Sequence, residues 1–172
     1  MPLKIFLFTA LMIFGARVHV DLGPVDFILS DYFVLLAGLM LGWRAVFSVG
    51  LYLLMGAAGL SVFAGGSGGI EHFASPTGGF LFGFLVAGFV VGKIAHGRQI
   101  GLQRDALATV TGQAIVFFFG LLGMKLVMTD ATWADIFSRG FLPFVGPIVI
   151  KFFAAVLGAY ALRYLPWFQQ TD

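Results

Sequence analysis

The sequence has no cysteine and few charged residues. Lys, Arg, Asp and Glu together make up 10% of its 172 residues, against about 25% in typical soluble domains. The lack of cysteine excludes disulfides, thiolate chemistry and cysteine-ligated metals. So few charges cannot cover a globular surface, which indicates that the chain lies in a lipid bilayer and carries no soluble domain of useful size.

Catalytic and nucleic-acid-binding patterns are also missing. There are no paired carboxylates, no HExxH sequence and no Ser/His/Asp set, and no G-K-[ST] sequence follows the glycines. His19, His72 and His96 are too scattered to share a metal ion. The formal charge of +2 is too small to favour nucleic acid. We therefore expect neither an enzyme nor a nucleic-acid partner, and no bound metal.

Long apolar runs dominate what is present. Hydrophobic residues make up 60% of the chain, and its mean hydropathy is +1.01. A helix needs about 20 apolar residues to cross a bilayer, and the runs cover residues 3–20, 30–41, 45–63, 78–95, 106–128 and 142–165. They predict an all-α integral membrane protein of six transmembrane helices in one domain, residues 1–172. The first run is expected to stay as a helix rather than be cleaved as a signal peptide.

The positive charges predict an orientation. Cytoplasmic loops are enriched in Lys and Arg, and a cytoplasmic N-terminus places six of the ten inside: Lys4, Arg44, Lys93, Arg98, Arg104 and Arg163. Arg17, Lys125, Arg139 and Lys151 then lie outside or in the outer half of the bilayer. Both termini are predicted to be cytoplasmic, and residues 63–79 to be extracytoplasmic.

Two glycine-rich stretches, "FAGGSGG" at residues 63–69 and "PTGG" at residues 76–79, interrupt this apolar pattern. Glycine permits positive φ and leaves backbone N–H groups uncovered, so such a loop can hold a small polar ligand. The alternatives are a flexible turn or a helix-packing surface. For Gly83, Gly88 and Gly92, later in the fourth run, we expect helix packing.

Together, "GPVDF", "VLLAGLMLGWR", "LYLLMGAAGLSVFAGGSGG" and "SPTGGFLFGF" resemble the BioY family, over residues 18–95 and more loosely through "TWADIFSRGFLPFVG" and Lys151. The resemblance implies six membrane helices with an outward-facing substrate cavity. It also implies biotin as the transported substrate without a cofactor, and a bacterial inner-membrane location. The expected partners are the transmembrane coupling subunit and two ATP-binding subunits of an energy-coupling factor (ECF) transporter. The alternatives are a solitary carrier for biotin or a related vitamin, and a non-transport membrane scaffold.

The resemblance also implies the substrate-binding residues. Phe63 and Phe80 are expected to wall the thioether ring, while Gln113 bonds either a neighbouring helix or the ureido group. The full expected set is Phe63, Ala64, Gly65, Gly66, Ser67, Gly68, Gly69, Pro76, Thr77, Gly78, Gly79, Phe80, Gln113 and Lys151.

Lys151 is the most informative side chain because it lies within the apolar stretch "IVIKFFAAVLG". A cation at the centre of a membrane helix costs at least about 2.5–3.5 kcal/mol and generally faces a cavity or a counter-charge. The hypothesis is that Lys151 binds the carboxylate of biotin. Ile148 occupies the position where the family often has an acidic residue, so the ligand carboxylate is expected to be the only strong counter-charge of Lys151.

Three further expectations concern residues around these motifs. Asp31 is expected to cap the second helix, with pairing to Lys151 or the ligand as the alternative. Glu71 and His72 are expected to be solvated. The resemblance implies that small residues of the first helix form the face that docks on the coupling subunit, and the candidates are Thr9, Ala10, Gly15 and Ala16.

Overall fold

The computed structural model describes residues 2–20, 26–96 and 101–165. Residues 23–25 of the "GPVDF" motif and Arg98 of the predicted cytoplasmic loop lie outside the described residues. The described residues form seven α-helices: α1 (Pro2–Arg17), α2 (Ser30–Leu41), α3 (Ala45–Ala57), α4 (Gly78–Ala95), α5 (Leu102–Val127), α6 (Trp133–Gly140) and α7 (Val145–Arg163).

The helix boundaries follow the apolar runs closely, with three differences. Helix α3 ends at Ala57, earlier than predicted, because the chain enters the glycine-rich loop. After α1, a strand β1 (His19–Val20) pairs antiparallel with a strand β2 (Phe27–Ile28). Helix α6 forms separately before α7, and its start is fixed by a capping box in which Thr132 and Asp135 bond each other's backbone N–H.

Within the part of the chain that the structure describes, four helical segments are long and apolar enough to cross a bilayer: Ser30–Ala57, Gly78–Ala95, Leu102–Val127 and Trp133–Arg163. Their burial differs widely. In the most apolar window of the first segment 61% of the residues are buried, against 28% in the last. Most of α7 therefore faces away from the protein, so its few inward-facing side chains decide how it is attached.

The segment Ser30–Ala57 reverses direction at a short 3₁₀ turn, Gly42–Arg44. Along α2, Gly38 approaches Val91 of α4, and Gly42 then approaches Gly92. Along α3, in contrast, Val49 lies against Gly88, an earlier residue of α4. Helices α2 and α3 therefore form an antiparallel pair beside α4. Gly42 has φ of 65°, a left-handed conformation that favours glycine and permits this turn.

Helices α4 and α5 are packed by small residues. A Cβ on Gly123 would lie 2.6 Å from the Cα of Gly79, and a Cβ on Gly83 would lie 3.0 Å from the backbone of Val116. Such contacts require glycine, because a side chain would push the helices apart. The packing role expected for Gly83, Gly88 and Gly92 is confirmed, since a Cβ at each would meet a neighbouring helix or the 42–44 turn.

The helix termini lie at two opposite sides of the bundle. One side carries residues 58–77, and we call it the loop end. Three helices end there (α1, α3 and α5) and three begin there (α2, α4 and α7). The other end, which carries the 42–44 turn and the start of α5, is the opposite end. Lys151 and the glycine-rich stretches lie at the loop end, whereas Arg163 lies at the opposite end.

Candidate functional site

A cavity opens among the helices at the loop end. It encloses about 570 Å³, including the open solvent at its mouth. Most of its wall is apolar or aromatic, and its polar groups come from different parts of the chain. Its lining consists of Asp26, Ile28, Asp31, Tyr52, Phe63, Ala64, His72, Thr77, Phe80, Leu81, Phe84, Val116, Phe117, Phe144 and Lys151.

Lys151 contributes a cation to this cavity, and it is 6% exposed. Its Nζ donates to Asp31 Oδ1 at 2.7 Å and to the backbone oxygen of Ile28 at 2.6 Å. The ammonium also lies 4.1 Å from the centre of the Phe27 ring, a distance typical of a cation–π contact. Strand β2 and helix α2 therefore surround a charge that α7 alone could not bury.

The Asp31 partnership corrects two expectations. Asp31 makes no capping hydrogen bond at the start of α2, and the alternative, pairing of its carboxylate with Lys151, is confirmed. The expectation that a ligand carboxylate is the only strong counter-charge of Lys151 is wrong for the same reason. An acid on α2 faces the lysine, whereas Ile148, one turn earlier on α7, offers none.

Polar groups at the mouth of the cavity centre on His72, which is half-buried rather than solvated as expected. Its ring stacks on Phe63 with centroids 5.1 Å apart, and its Nε2 lies 3.3 Å from Thr77 Oγ1. Burial lowers the pKa of His72, although the nearby carboxylates of Glu71 and Asp26 oppose this shift. His72 is therefore neutral at pH 7. Glu71 is exposed, as expected.

Aromatic side chains build the rest of the wall. Tyr52 and Phe63 meet edge to face with centroids 5.4 Å apart, and Phe80 meets Phe117 in the same way at 5.8 Å. Tyr52 is fully buried and its hydroxyl points toward Ser30. However, Ser30 Oγ donates to the Met12 oxygen, and Tyr52 Oη has no hydrogen bond of normal geometry among the described residues.

The glycine-rich loop supports the cavity through its shape. Gly65, Gly66 and Gly69 have φ of 63°, 77° and 111°, conformations that favour glycine. The N–H groups of Gly66 and Gly69 donate to the oxygens of Phe63 and Gly56. These two donors are therefore engaged within the chain instead of facing a ligand, and the loop holds Phe63 and Ala64 in the cavity wall.

The predicted site residues divide into three groups. Five line the cavity: Phe63, Ala64, Thr77, Phe80 and Lys151. Eight lie beside it, in the loop or at the start of α4: Gly65, Gly66, Ser67, Gly68, Gly69, Pro76, Gly78 and Gly79. Gln113 lies elsewhere.

Gln113 faces a different crevice, between α5 and α7, where it lines the wall with Val110, Ile148, Val149 and Phe152. It is 5% exposed, and neither of its side-chain polar atoms has a hydrogen-bond partner among the described residues. The expected hydrogen bond to a neighbouring helix is therefore not formed. Its side chain also does not belong to the lining of the loop-end cavity.

Sequence reasoning missed several lining residues: Asp26, Ile28, Tyr52, His72, Leu81, Phe84, Val116, Phe117 and Phe144. Tyr52 carried a usable signal, because it is a lone phenolic group within the apolar run of α3. The phenylalanines carried none, since 21 of them are spread along the chain and hydropathy does not separate those that face lipid from those that face a cavity.

Comparisons with known proteins agree with this architecture. A model of the BioY family matches residues 2–166. The biotin transporter BioY of Thermotoga maritima is 37% identical over 95% of each chain. The probable biotin transporter BioY of Pyrococcus horikoshii is 37% identical over 91% of this chain and 92% of the relative. A crystal structure of the S-component for biotin from an ECF-type ABC transporter superposes with a TM-score of 0.85 and 25% identity, covering 98% of this chain and 92% of that one.

Proposed function

Because this chain belongs to the BioY family, we propose that the cavity at the loop end is where it holds biotin. The chain is a biotin-binding membrane subunit for uptake and not an enzyme. The observation that carries the assignment of the site is the buried Lys151–Asp31 pair beside aromatic walls. Biotin offers matching chemistry, with an apolar thioether ring, a ureido group that donates and accepts hydrogen bonds, and a carboxylate.

The charges of the cavity favour the ureido group as the partner of the Lys151–Asp31 pair. Among the described lining residues, Asp26 and Asp31 accompany a single lysine, and His72 is neutral. A second anion 4 Å from a carboxylate is repelled by about 4 kcal/mol at an effective dielectric constant near 20. A ureido group adds no charge. Its carbonyl oxygen can accept from Lys151 while its N–H donates to Asp31.

This assignment changes the role first expected for Lys151, which was to bind the carboxylate. Lys151 stays in the proposed site, together with Phe63, Ala64, Thr77 and Phe80 as wall residues. The glycines at residues 65–69 and 76–79 enter the proposal as the supports of that wall. Gln113 is left out of direct contact because it faces the crevice between α5 and α7.

The proposed topology has six membrane helices, α1–α5 and α7, with the loop end outside and both termini in the cytoplasm. The excess of Lys and Arg at the opposite end supports it. Helices α2 and α3 have 12 and 13 residues, about 18–20 Å at 1.5 Å per residue. They are shorter than a bilayer core of about 30 Å.

Maleimide labelling tests this orientation. A single cysteine at Glu71 should react only from outside, and one at Trp43, an exposed residue of the opposite end, only from the cytoplasm. Labelling of both from one face would contradict the six-helix topology. The chain has no native cysteine, so no background reaction is expected.

The proposed partners are a membrane coupling subunit and two ATP-binding subunits, in keeping with the ECF-type S-component that this chain resembles. The chain has no G-K-[ST] sequence of its own, so ATP must be bound elsewhere if uptake is ATP-driven. The docking face expected on α1 needs correction in part. Thr9, Gly15 and Ala16 are buried, because small residues there let α1 pack closely on α2 and α3, whereas Ala10 is exposed and stays a candidate.

Calorimetric titration of the purified protein with biotin, desthiobiotin and lipoate tests the function. Saturable binding of biotin, with weaker binding of lipoate, which lacks the ureido ring, is expected. A carrier for a related vitamin would prefer another ligand of this series, and a membrane scaffold would bind none of them. Biotin uptake by cells with and without a coupling module separates a solitary carrier from a subunit of a larger transporter.

A further inference from the structure

Arg17 lies at the loop end, beside the glycine-rich loop that contributes Phe63 and Ala64 to the cavity wall. It is the last residue of α1, and its Nη2 donates to the Ser61 oxygen at 2.6 Å. A Cβ on Gly66 would lie 2.8 Å from Arg17 Nη1. The absence of a side chain at Gly66 therefore lets the guanidinium lie directly against the loop, two residues from Ala64 in the cavity wall.

The surroundings of Arg17 are more favourable to an anion than the interior of the cavity. Inside, Lys151 is already neutralised by Asp31, and Asp26 adds a second carboxylate. At the mouth, Arg17 is exposed, and His19 Nε2 lies 3.7 Å from the position of a Cβ on Gly65. The hydrogen bond to the Ser61 oxygen engages one of the five N–H donors of Arg17. A guanidinium pairs readily with a carboxylate.

We infer that Arg17 binds the carboxylate of the substrate at the mouth of the cavity. The ring system of the substrate then lies deeper, against Lys151 and Asp31. The carboxylate of biotin ends a flexible arm of four methylene groups, so its ring and its charge can occupy different places. This inference rests on the proposed function. It assigns a specificity role to the residue that joins α1 to the glycine-rich loop, and it explains how a cavity with an excess of carboxylates can accept an anionic molecule.

The test compares biotin with biotin methyl ester, which lacks the negative charge, by calorimetry on the full chain. Arg17→Gln should raise the Kd for biotin about tenfold to a hundredfold, the usual range for losing a hydrogen bond to a charged group. The Kd for the ester should change by less than about threefold. Arg17→Lys keeps the charge and should recover part of the loss. Arg139→Gln, an exposed arginine of α6 at the same end, is the matched control and should change neither Kd.

Salt dependence provides a second readout that needs no variant. Raising NaCl should weaken binding of biotin by the wild-type protein more than binding of the ester, because exposed charge pairs are screened. If Arg17→Gln weakens the binding of biotin and of the ester equally, Arg17 only stabilises the loop, and the inference is overturned. A selective loss of biotin in Lys151→Met, with the ester unaffected, would place the carboxylate inside and overturn it as well. If the wild-type protein binds neither ligand, the proposed function fails and this inference fails with it.

Discussion

Among the described residues, two ion pairs with buried carboxylates attach α7 to the bundle, one toward each of its ends. At the loop end, Lys151 meets one oxygen of Asp31 at 2.7 Å and borders the cavity. At the opposite end, Arg163 binds both oxygens of Asp105, with Nη2 3.0 Å from Oδ1, and Nη2 also donates to the Leu39 oxygen at 3.1 Å. Asp105 is 1% exposed, and neither residue lines the loop-end cavity.

The difference in geometry indicates that the Arg163–Asp105 pair is structural, whereas the Lys151–Asp31 pair takes part in binding. A guanidinium fork bonds both oxygens of a carboxylate in a fixed, bidentate geometry. A lysine ammonium is a point charge with three donors, and beside a cavity it can take a ligand without losing Asp31. The two pairs on one helix therefore have different expected consequences when they are broken.

The largest expected effect is on stability, from Arg163→Met. It leaves Asp105 buried and unpaired, which costs about 3–5 kcal/mol of folding free energy. Thermal unfolding in detergent measures the loss, and the Kd for biotin of the remaining folded protein should be unchanged. The double variant Arg163→Met with Asp105→Leu should regain most of the stability, since an apolar pair can replace a buried ion pair. A large rise in Kd in either variant would mean that the opposite end takes part in binding.

Lys151→Met should have its main effect on binding. Removing one member of a buried charge pair at a binding site typically costs about 2–5 kcal/mol of binding free energy. Unfolding temperature should also fall, because Asp31 loses its partner. Adding Asp31→Asn should restore the unfolding temperature but not the Kd. If the double variant recovers biotin affinity, the Lys151–Asp31 pair is structural like the pair at the opposite end.

Two substitutions in the glycine-rich loop, Gly66→Val and Ser67→Ala, compare the effect of backbone shape on binding with that of a single hydrogen bond. A β-branched residue at φ of 77° is strained by about 1–3 kcal/mol and displaces Arg17, so biotin binding should weaken markedly. Ser67→Ala removes one hydrogen bond to the Ala64 oxygen, worth about 0.5–1.5 kcal/mol, and should have a smaller effect in the same titration. Equal losses of affinity would show that backbone shape at Gly66 is not what matters.

The smallest expected effect is a pH dependence of stability, to which one histidine at each end of the bundle contributes. Burial is the main cause that lowers the pKa of His72, and also that of His96 at the opposite end. As the pH falls below about 6.5, the unfolded chain takes up protons at these residues before the folded one. Stability should therefore fall with acid, and His72→Gln and His96→Gln should each reduce this slope in thermal unfolding. A slope that neither variant changes would assign the acid sensitivity to other groups.

Hydropathy was sufficient to locate most of this fold. Helices α2 and α4 begin and end where the apolar runs do, because charges, glycines and prolines bound them. The reversal at the 42–44 turn also agrees with two separate short runs. Helix α6 was not among the predicted helices, because the runs were chosen by apolarity and "TWADIFSRG" is amphipathic, a pattern typical of a surface segment rather than a membrane span.

The candidate site was only partly predictable. Lys151 stood out because a charge in an apolar run needs a partner, but Asp31, 120 residues away, could be named only as an alternative partner beside a ligand carboxylate. Which residues face each other depends on the rotation of α2 and α7 about their axes, and hydropathy does not fix it. The same limit explains Gln113, whose side chain turns to the crevice between α5 and α7 rather than to the cavity.

Cysteine protection by ligand tests the central claim, that biotin occupies the loop-end cavity. Ala64→Cys introduces a thiol into the cavity wall, and Ser138→Cys places one on the exposed surface of α6 at the same end of the bundle. Biotin should slow maleimide labelling of the Ala64→Cys variant, with half-protection at the Kd of that variant, and should leave labelling of Ser138→Cys unchanged. If biotin binds with normal affinity but protects neither thiol, its site lies outside this cavity and the account is wrong.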